Sequence, residues 1–262
     1  VASHGQRQGE NTELMSDALS HRQDIQWLGR VECSRPPAQP GELLEQLCAN
    51  CGDALPVPVD RFAYRPRTTL YRQDTAGNAV FTITSGLVAL VQQTPWGVER
   101  VVRLAHPGDT LGLELLVDGR YRHTAAAARR TEVSRIPLVL VNATQRRHPG
   151  MAGSLLRSLQ KSADEADRFL TSFATGPAPA RLARLMLHLG ERHGGGDTSR
   201  LSREVIANTL GITLETASRI MNDFKRRGLM FEERGTIGFT NRAALEEIAW
   251  ENRRPPPPTE GT

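Results

Sequence analysis

Apolar residues change their spacing along the chain, and each change predicts a different kind of element. From about Arg61 to Leu140 short apolar runs are broken by turn signals at Ala76-Gly77-Asn78, Ser85-Gly86, Pro95-Trp96-Gly97, His106-Pro107-Gly108-Asp109 and Asp118-Gly119. Turns about ten residues apart predict short antiparallel strands in a compact barrel or sandwich. Gly86–Val91 and Val101–Leu104 are the firmest strands. From Met151 to Phe173 the period becomes helical: Met151, Leu155, Leu159, Ala163, Ala166, Leu170 and Phe173 recur at steps of three and four. Such a stripe packs either on its own barrel or against a second copy of itself. Gly176-Pro177-Ala178-Pro179 ends this helix and makes a hinge, Arg181–Gly190 is another amphipathic helix, and Gly194-Gly195-Gly196 is a loop.

The run Leu201–Met230 predicts two short helices around a glycine turn. Ser202 caps the first, Glu204 sits in its first turn against the positive helix end, and Val205, Ile206 and Leu210 form its apolar side. Gly211 breaks it, and Ile212 fills the space between the helices. Thr213 caps the second helix, whose buried stripe is Ala217, Ile220, Met221 and Phe224. Glu215, Ser218, Arg219 and Asn222 then share the opposite face, near the helix start. That is where a recognition helix meets the major groove. Arginine suits a bidentate contact to guanine, glutamate accepts from a cytosine amino group, and serine bonds permissively. An ordinary solvated face would show the same spacing. Met230–Thr240 predicts a hairpin wing turning at Arg234-Gly235, and Ala243–Trp250 a closing helix.

Composition narrows this little. With 262 residues the chain can form one or two cores, and 39% hydrophobic and 5% aromatic residues indicate a globular protein. A formal charge of +4 agrees with a polyanionic partner. Nearly all cations are arginines, Lys161 and Lys225 being the only lysines. No apolar run approaches the roughly 18 residues of a membrane span. The amino end lacks the apolar stretch of a secretory signal, so a cytoplasmic protein without a membrane partner is expected. No nucleophile elbow, phosphate-binding loop or zincin motif suggests an enzyme.

The caps, glycine and reader positions of Leu201–Met230 closely resemble the DNA-binding signature of Crp/Fnr transcription regulators, and Glu215-Thr216-Ala217-Ser218-Arg219 looks like the E-x-x-S-R reader of the Fnr branch. The strand order, with Ser85-Gly86 and Pro107-Gly108-Asp109 at its turns, resembles that family's β-roll. The resemblance implies an α+β protein: an N-terminal β-roll like a cyclic-nucleotide-binding jelly roll, a long dimerisation helix and a C-terminal winged helix-turn-helix. The expected divisions are a flexible segment with cysteines at 1–60, a sensor at 61–141, a dimerisation helix and hinge at 142–176, a DNA-binding domain at 177–251 and a disordered tail at 252–262. It further implies a homodimer on double-stranded DNA, at a palindromic promoter site of TTGAT-like half-sites, with RNA polymerase as a partner. Glu215, Ser218 and Arg219 would read bases, with Thr213, Ser202 and Asn222 completing the DNA contacts.

The signal is the open question. Members that bind cyclic AMP carry a glutamate after a β-roll glycine and an Arg-Ser pair. Here Leu113 follows Gly112, and Arg120-Tyr121-Arg122-His123-Thr124 holds no such pair. A shifted register would make Glu114, Arg122 and His123 the ligand residues of a cyclic-nucleotide-responsive alternative. Cys33, Cys48 and Cys51 lie before the β-roll, where Fnr-type sensors keep cluster ligands. They suggest an iron–sulfur cluster or a Cys48–Cys51 redox pair. Fourteen residues separate Cys33 from Cys48, and Ser134 stands near the place of the fourth ligand. His106, His123 and His148 are the candidate haem ligands.

Overall fold

The computed structural model describes residues 24–32, 41–50, 58–191, 201–233 and 236–250. They divide into two compact units, one from the chain up to Leu90 with Leu104–Lys161, the other from Val91–Arg103 with Ser162 onward.

The first unit is built on two antiparallel layers. Strands β1 (Ile25–Arg30), β2 (Asp60–Tyr64), β4 (Ala79–Ser85), β7 (Thr110–Leu111) and β9 (Thr131–Pro137) form a sheet in the order β1-β2-β9-β4-β7. Strands β3 (Thr69–Tyr71), β5 (Val88–Gln93), β6 (Glu99–Ala105) and β8 (Thr124–Ala127) form a second, in the order β3-β8-β5-β6. The register sets Val80 against Ile136 and Ile83 against Val133, and all four side chains are fully buried. Pairing in this register keeps each strand's apolar face on the core. The expected strands at Gly86–Val91 and Val101–Leu104 appear as β5 and β6. Strand β1 lies within the 1–60 segment expected to be flexible. Its sequence does not alternate, but its backbone pairs with β2 from Ile25 opposite Tyr64 to Arg30 opposite Asp60.

Helix α1 (Gly41–Asn50) lies on this unit through Leu43, Leu44 and Leu47. The same cluster holds Leu113, which precedes the short helix α2 (Leu115–Asp118), Leu140 and Val141 of α3 (Leu138–Arg147), and Met151 and Leu155 of α4 (Met151–Phe173). Helix α4 covers the predicted residues, but its apolar side is divided. Met151, Leu155 and Phe173 are buried within the protomer, whereas Leu156, Leu159 and Leu170 are 67%, 46% and 61% exposed. Two ion pairs hold the start of α4: Arg157 with Glu42 of α1, and Lys161 with the buried Asp109 at 2.5 Å.

Apart from Val91–Arg103, where β5 ends and most of β6 lies, the second unit is helical with a small hairpin. Helix α5 (Ala178–Glu191) packs against α6 (Arg203–Leu210), α7 (Leu214–Arg226) and α8 (Arg242–Trp250). Strands β10 (Met230–Glu233) and β11 (Thr236–Phe239) pair as the expected wing. Its turn residues Arg234 and Gly235, the glycine loop 194–196 and the tail 252–262 lie outside the described residues. Among the described residues no helix is long and apolar enough to cross a membrane.

Candidate nucleic-acid interface

Local rules position α6 and α7. The Ser202 hydroxyl accepts from the Val205 amide at 3.2 Å, and the Thr213 hydroxyl accepts from the Thr216 amide at 3.2 Å. Both bonds satisfy amides that a helix start leaves without partners. Between the helices, Gly211 has φ +63°, and its amide closes the first helix on the Ala207 carbonyl. A side chain there would strain the turn. Arg181 of α5 adds a bond from Nη1 to the Leu210 carbonyl at 2.6 Å, fixing the same corner from behind. Burial lowers the Arg181 pKa.

Ala217, Ile220, Met221 and Phe224 bury one side of α7, as their spacing predicts. Glu215, Arg219 and Asn222 are exposed on the opposite side, and Ser218 is half-buried beside them. A carboxylate, a hydroxyl, a guanidinium and an amide thus stand on one side of the helix, with Glu215 beside its positive end. This set offers donors and acceptors of the kind that read base edges. Ser202 and Thr213 hold their own helix starts; the Thr213 hydroxyl also donates to the Thr216 hydroxyl at 2.9 Å. Downstream, Arg226 and Arg227 are exposed and pair with Asp223.

The wing is held by charges that periodicity does not reveal. Glu232 of β10 accepts from Arg203 of α6 at 2.8 Å and from Lys225 of α7. Hydrogen bonds from Lys225 and then Arg203 hold its carboxyl below the usual range. Lys225 therefore serves the wing. Only the tertiary fold brings these residues together, since the charges lie on three elements.

The candidate sensor residues are arranged differently. Leu113 is buried among α1, α3 and α4 rather than lining a polar cup. The Arg122 guanidinium pairs with Asp118, and its amide donates to Glu114 at 3.2 Å. His123 is half-buried. Between these segments Tyr121 stacks on Tyr71 at 3.9 Å, donates to the Ala79 carbonyl at 2.7 Å and lies against Gly77 and Gly112. Burial pushes its phenol up to about 12. Leu113 is thus aliphatic and buried, and the Arg122 guanidinium already faces the Asp118 carboxylate.

Cys48 is half-buried at the end of α1, against the core that holds α4. Cys33 and Cys51 lie outside the described residues. Among the described residues no group of three or more His, Cys, Asp or Glu could hold a metal ion. His106 is buried in its turn, its amide donating to Asp109 at 2.8 Å. His148 follows the last residue of α3, its amide donating to Thr144. Ser134 is fully buried in β9.

A model of the Crp-like helix-turn-helix domain matches residues 180–248, and one of the cyclic nucleotide-binding domain matches residues 61–148. The cyclic AMP receptor protein of Thermus thermophilus is 30% identical over 72% of this chain and 88% of its own length. The chain belongs to the Crp/Fnr family of transcription regulators. The transcriptional activator FnrA of Stutzerimonas stutzeri is 26% identical over 63% of this chain and 70% of its own. A crystal structure of a CRP-family regulator from Thermus thermophilus superposes with a TM-score of 0.62 at 25% identity, covering 71% of this chain and 95% of that one. The β-roll and C-terminal helix-turn-helix thus agree with the family fold. This family member is a DNA-binding transcription regulator, and its relatives are regulators rather than enzymes.

Proposed function

We propose that the protein acts as a homodimer on an inverted repeat of TTGAT-like half-sites, with Glu215, Ser218 and Arg219 reading bases. The observation that carries this reading is the exposed polar face of α7 opposite a fully buried stripe. The dimer rests on α4. Leu156, Leu159, Ala163, Ala166 and Leu170 follow one another at steps of three, four, three and four, the spacing of a two-stranded seam. Burying each exposed leucine contributes roughly 1.5–3 kcal/mol. Two-fold pairing then presents two reading helices about one DNA turn apart. RNA polymerase is the partner through which such a bound dimer acts on transcription.

The input is a redox, oxygen or small-molecule signal at the N-terminal cysteine region and β-roll. Thiolates of Cys33, Cys48 and Cys51 would hold an iron–sulfur cluster, or Cys48 and Cys51 would form a redox pair. What supports this is the contact of Cys48 with the core that buries Met151 and Leu155 of α4. A cyclic nucleotide is disfavoured as the signal by buried Leu113 and by the Arg122–Asp118 pair.

Binding-site selection with Arg219→Ala tests the reader. The variant is expected to lose about 1–3 kcal/mol of specific binding and its preference at one guanine. Unchanged preference would remove Arg219 from the readers. An absorption spectrum with iron and sulfide assay on protein purified without oxygen tests the input. Visible absorption with matching iron and sulfide, bleached by air, favours the cluster, and a colourless metal-free protein excludes it.

A further inference from the structure

The segment joining the dimerisation helix to the reader contains glycine and prolines, yet a single side chain spans it. Arg184 projects from α5 and donates from Nε to the Ser172 carbonyl at 2.6 Å, from Nη2 to the Thr175 carbonyl, and from Nη1 to the Ala249 carbonyl at 3.1 Å. Its guanidinium also lies 5.7 Å from the centre of the Trp250 ring. Ser172 lies in the last turn of α4, Thr175 just beyond it, and Ala249 in the last turn of α8. A helix end leaves its final carbonyls without intrahelical partners, and it carries partial negative charge. One cation therefore satisfies the ends of two helices at once.

The rest of the α4 terminus is closed as well. The Ala174 amide donates to Leu170, and the Thr175 hydroxyl donates to the Thr171 carbonyl at 2.7 Å. Gly176, with φ +83°, lets the chain turn directly against Arg184: a Cβ there would stand 3.4 Å from Nη2. Bending at Gly176 would break the bonds to Ser172 and Thr175 together. Residues from Ser162 onward, which include the exposed Leu170, cluster in one unit with the reader.

We infer that Arg184 is a positioning residue that locks the reader to the end of the dimerisation helix and so fixes the spacing between the two half-sites a dimer accepts. The inference rests on the dimeric reading proposed above. A planar guanidinium with five donors can hold three carbonyls in fixed directions, which a lysine ammonium on a flexible stem cannot. The Gly176–Pro179 segment then transmits orientation as a stiff corner, and a signal alters the reader through α4 itself.

The test is binding of the full chain to inverted repeats whose central spacer is the preferred length, one base pair shorter and one longer. One base pair turns a half-site by about 35° and moves it by about 3.4 Å. The wild type is expected to lose roughly tenfold affinity at each altered spacer. Arg184→Gln should flatten this difference to about twofold while the half-site preference stays unchanged, and Arg184→Lys should fall between. A merely structural role would weaken all three sites alike. A steep wild type with an equally steep Arg184→Gln overturns the lock and leaves the dimeric reading standing. A wild type indifferent to spacer overturns the dimeric reading and the lock with it. Hydrogen exchange on the unmutated protein supplies a readout independent of the variants' folding. Protection of the Ala174 amide comparable to the core of α5 supports the lock, and exchange at the rate of an open loop overturns it.

Discussion

The reader and the β-roll use their polar groups in opposite ways. In the reader, the face of α7 that carries Glu215, Arg219 and Asn222 is left toward solvent, while the helix is fixed by its Thr213 cap and its buried side, and Arg181 holds the end of α6 before it. In the β-roll, the segment that carries the candidate ligand residues is closed by its own residues: Arg122 by Asp118, the Arg122 amide by Glu114, and the Tyr121 hydroxyl by Ala79. A fixed frame with exposed polar groups is organised for an external partner. Polar groups already satisfied within the frame offer a ligand little that it would not first have to displace.

The largest effect concerns the surface proposed to pair two copies of the chain. Leu159→Asp with Leu170→Asp places charges on the exposed side of α4 without disturbing buried Met151, Leu155 or Phe173. Light scattering should report a monomer and circular dichroism an unchanged helicity, and affinity for the inverted repeat should fall by about a thousandfold to ten-thousandfold, since each half-site is then bound alone. A variant that remained dimeric would place the seam elsewhere.

Next is the closure of the β-roll. Tyr121→Ala removes a stacked, fully packed ring and should cost about 3–5 kcal/mol of stability in that unit, with half-site preference unchanged. Burial holds the phenols of Tyr121 and Tyr64 up to about 12, above the ordinary 10. A raised acid pKa means the protonated form is favoured by folding. The contribution of these tyrosines is therefore constant below pH 10 and is lost as pH rises toward 12, and Tyr121→Phe should weaken that alkaline loss. If Tyr121→Ala instead stayed stable and gained heat of binding with cyclic AMP, the tyrosine would be a plug over a working nucleotide site.

Arg219→Ala sharpens the contrast from the reader's side. Its expected loss of roughly 1–3 kcal/mol in specific binding should come with a melting temperature close to wild type, because the side chain is exposed. Arg122→Ala should do the reverse, changing stability by less than about 1 kcal/mol and leaving DNA preference intact. Equal effects of the two arginines on DNA binding would erase the distinction between open reader and closed cup.

How much of this was legible in the sequence follows the range of the interactions. The caps at Ser202 and Thr213, the turn at Gly211 and the bounds of α4 are local, and residue type with period three to four reveals them. Strand β1 was missed because its order comes from pairing with β2 across some thirty-five residues of chain. Periodicity gave α4 an apolar face without saying what covers each part of it. Two ends of the expected stripe turned inward, and Leu156, outside that stripe, joined the exposed part. Nothing local in the sequence singles out Arg184 or Glu232, because their partners are backbone carbonyls and side chains from other elements. The polar face of α7 was legible because residue type and period along one short helix are local. The signal was not, because Cys33, Cys48 and Cys51 allow several chemistries at the same spacing.

The smallest effect lies where folding and DNA binding draw on the same charge. Glu232 engages Lys225 and Arg203, and its carboxyl is held below its ordinary 4.5. A lowered acid pKa means folding favours the carboxylate, so its contribution is present above pH 4.5 and lost as pH falls through the folded value. Glu232→Gln should reduce stability at neutral pH by about 1 kcal/mol and flatten the acid limb of the stability curve. The same substitution releases Lys225 on the reading helix. If that ammonium then reaches a phosphate, the slope of log affinity against log salt should steepen by about one. An unchanged slope with reduced stability would mean that Lys225 faces the wing in either state. Glu232 would then stabilise the reader without restraining its grip on DNA.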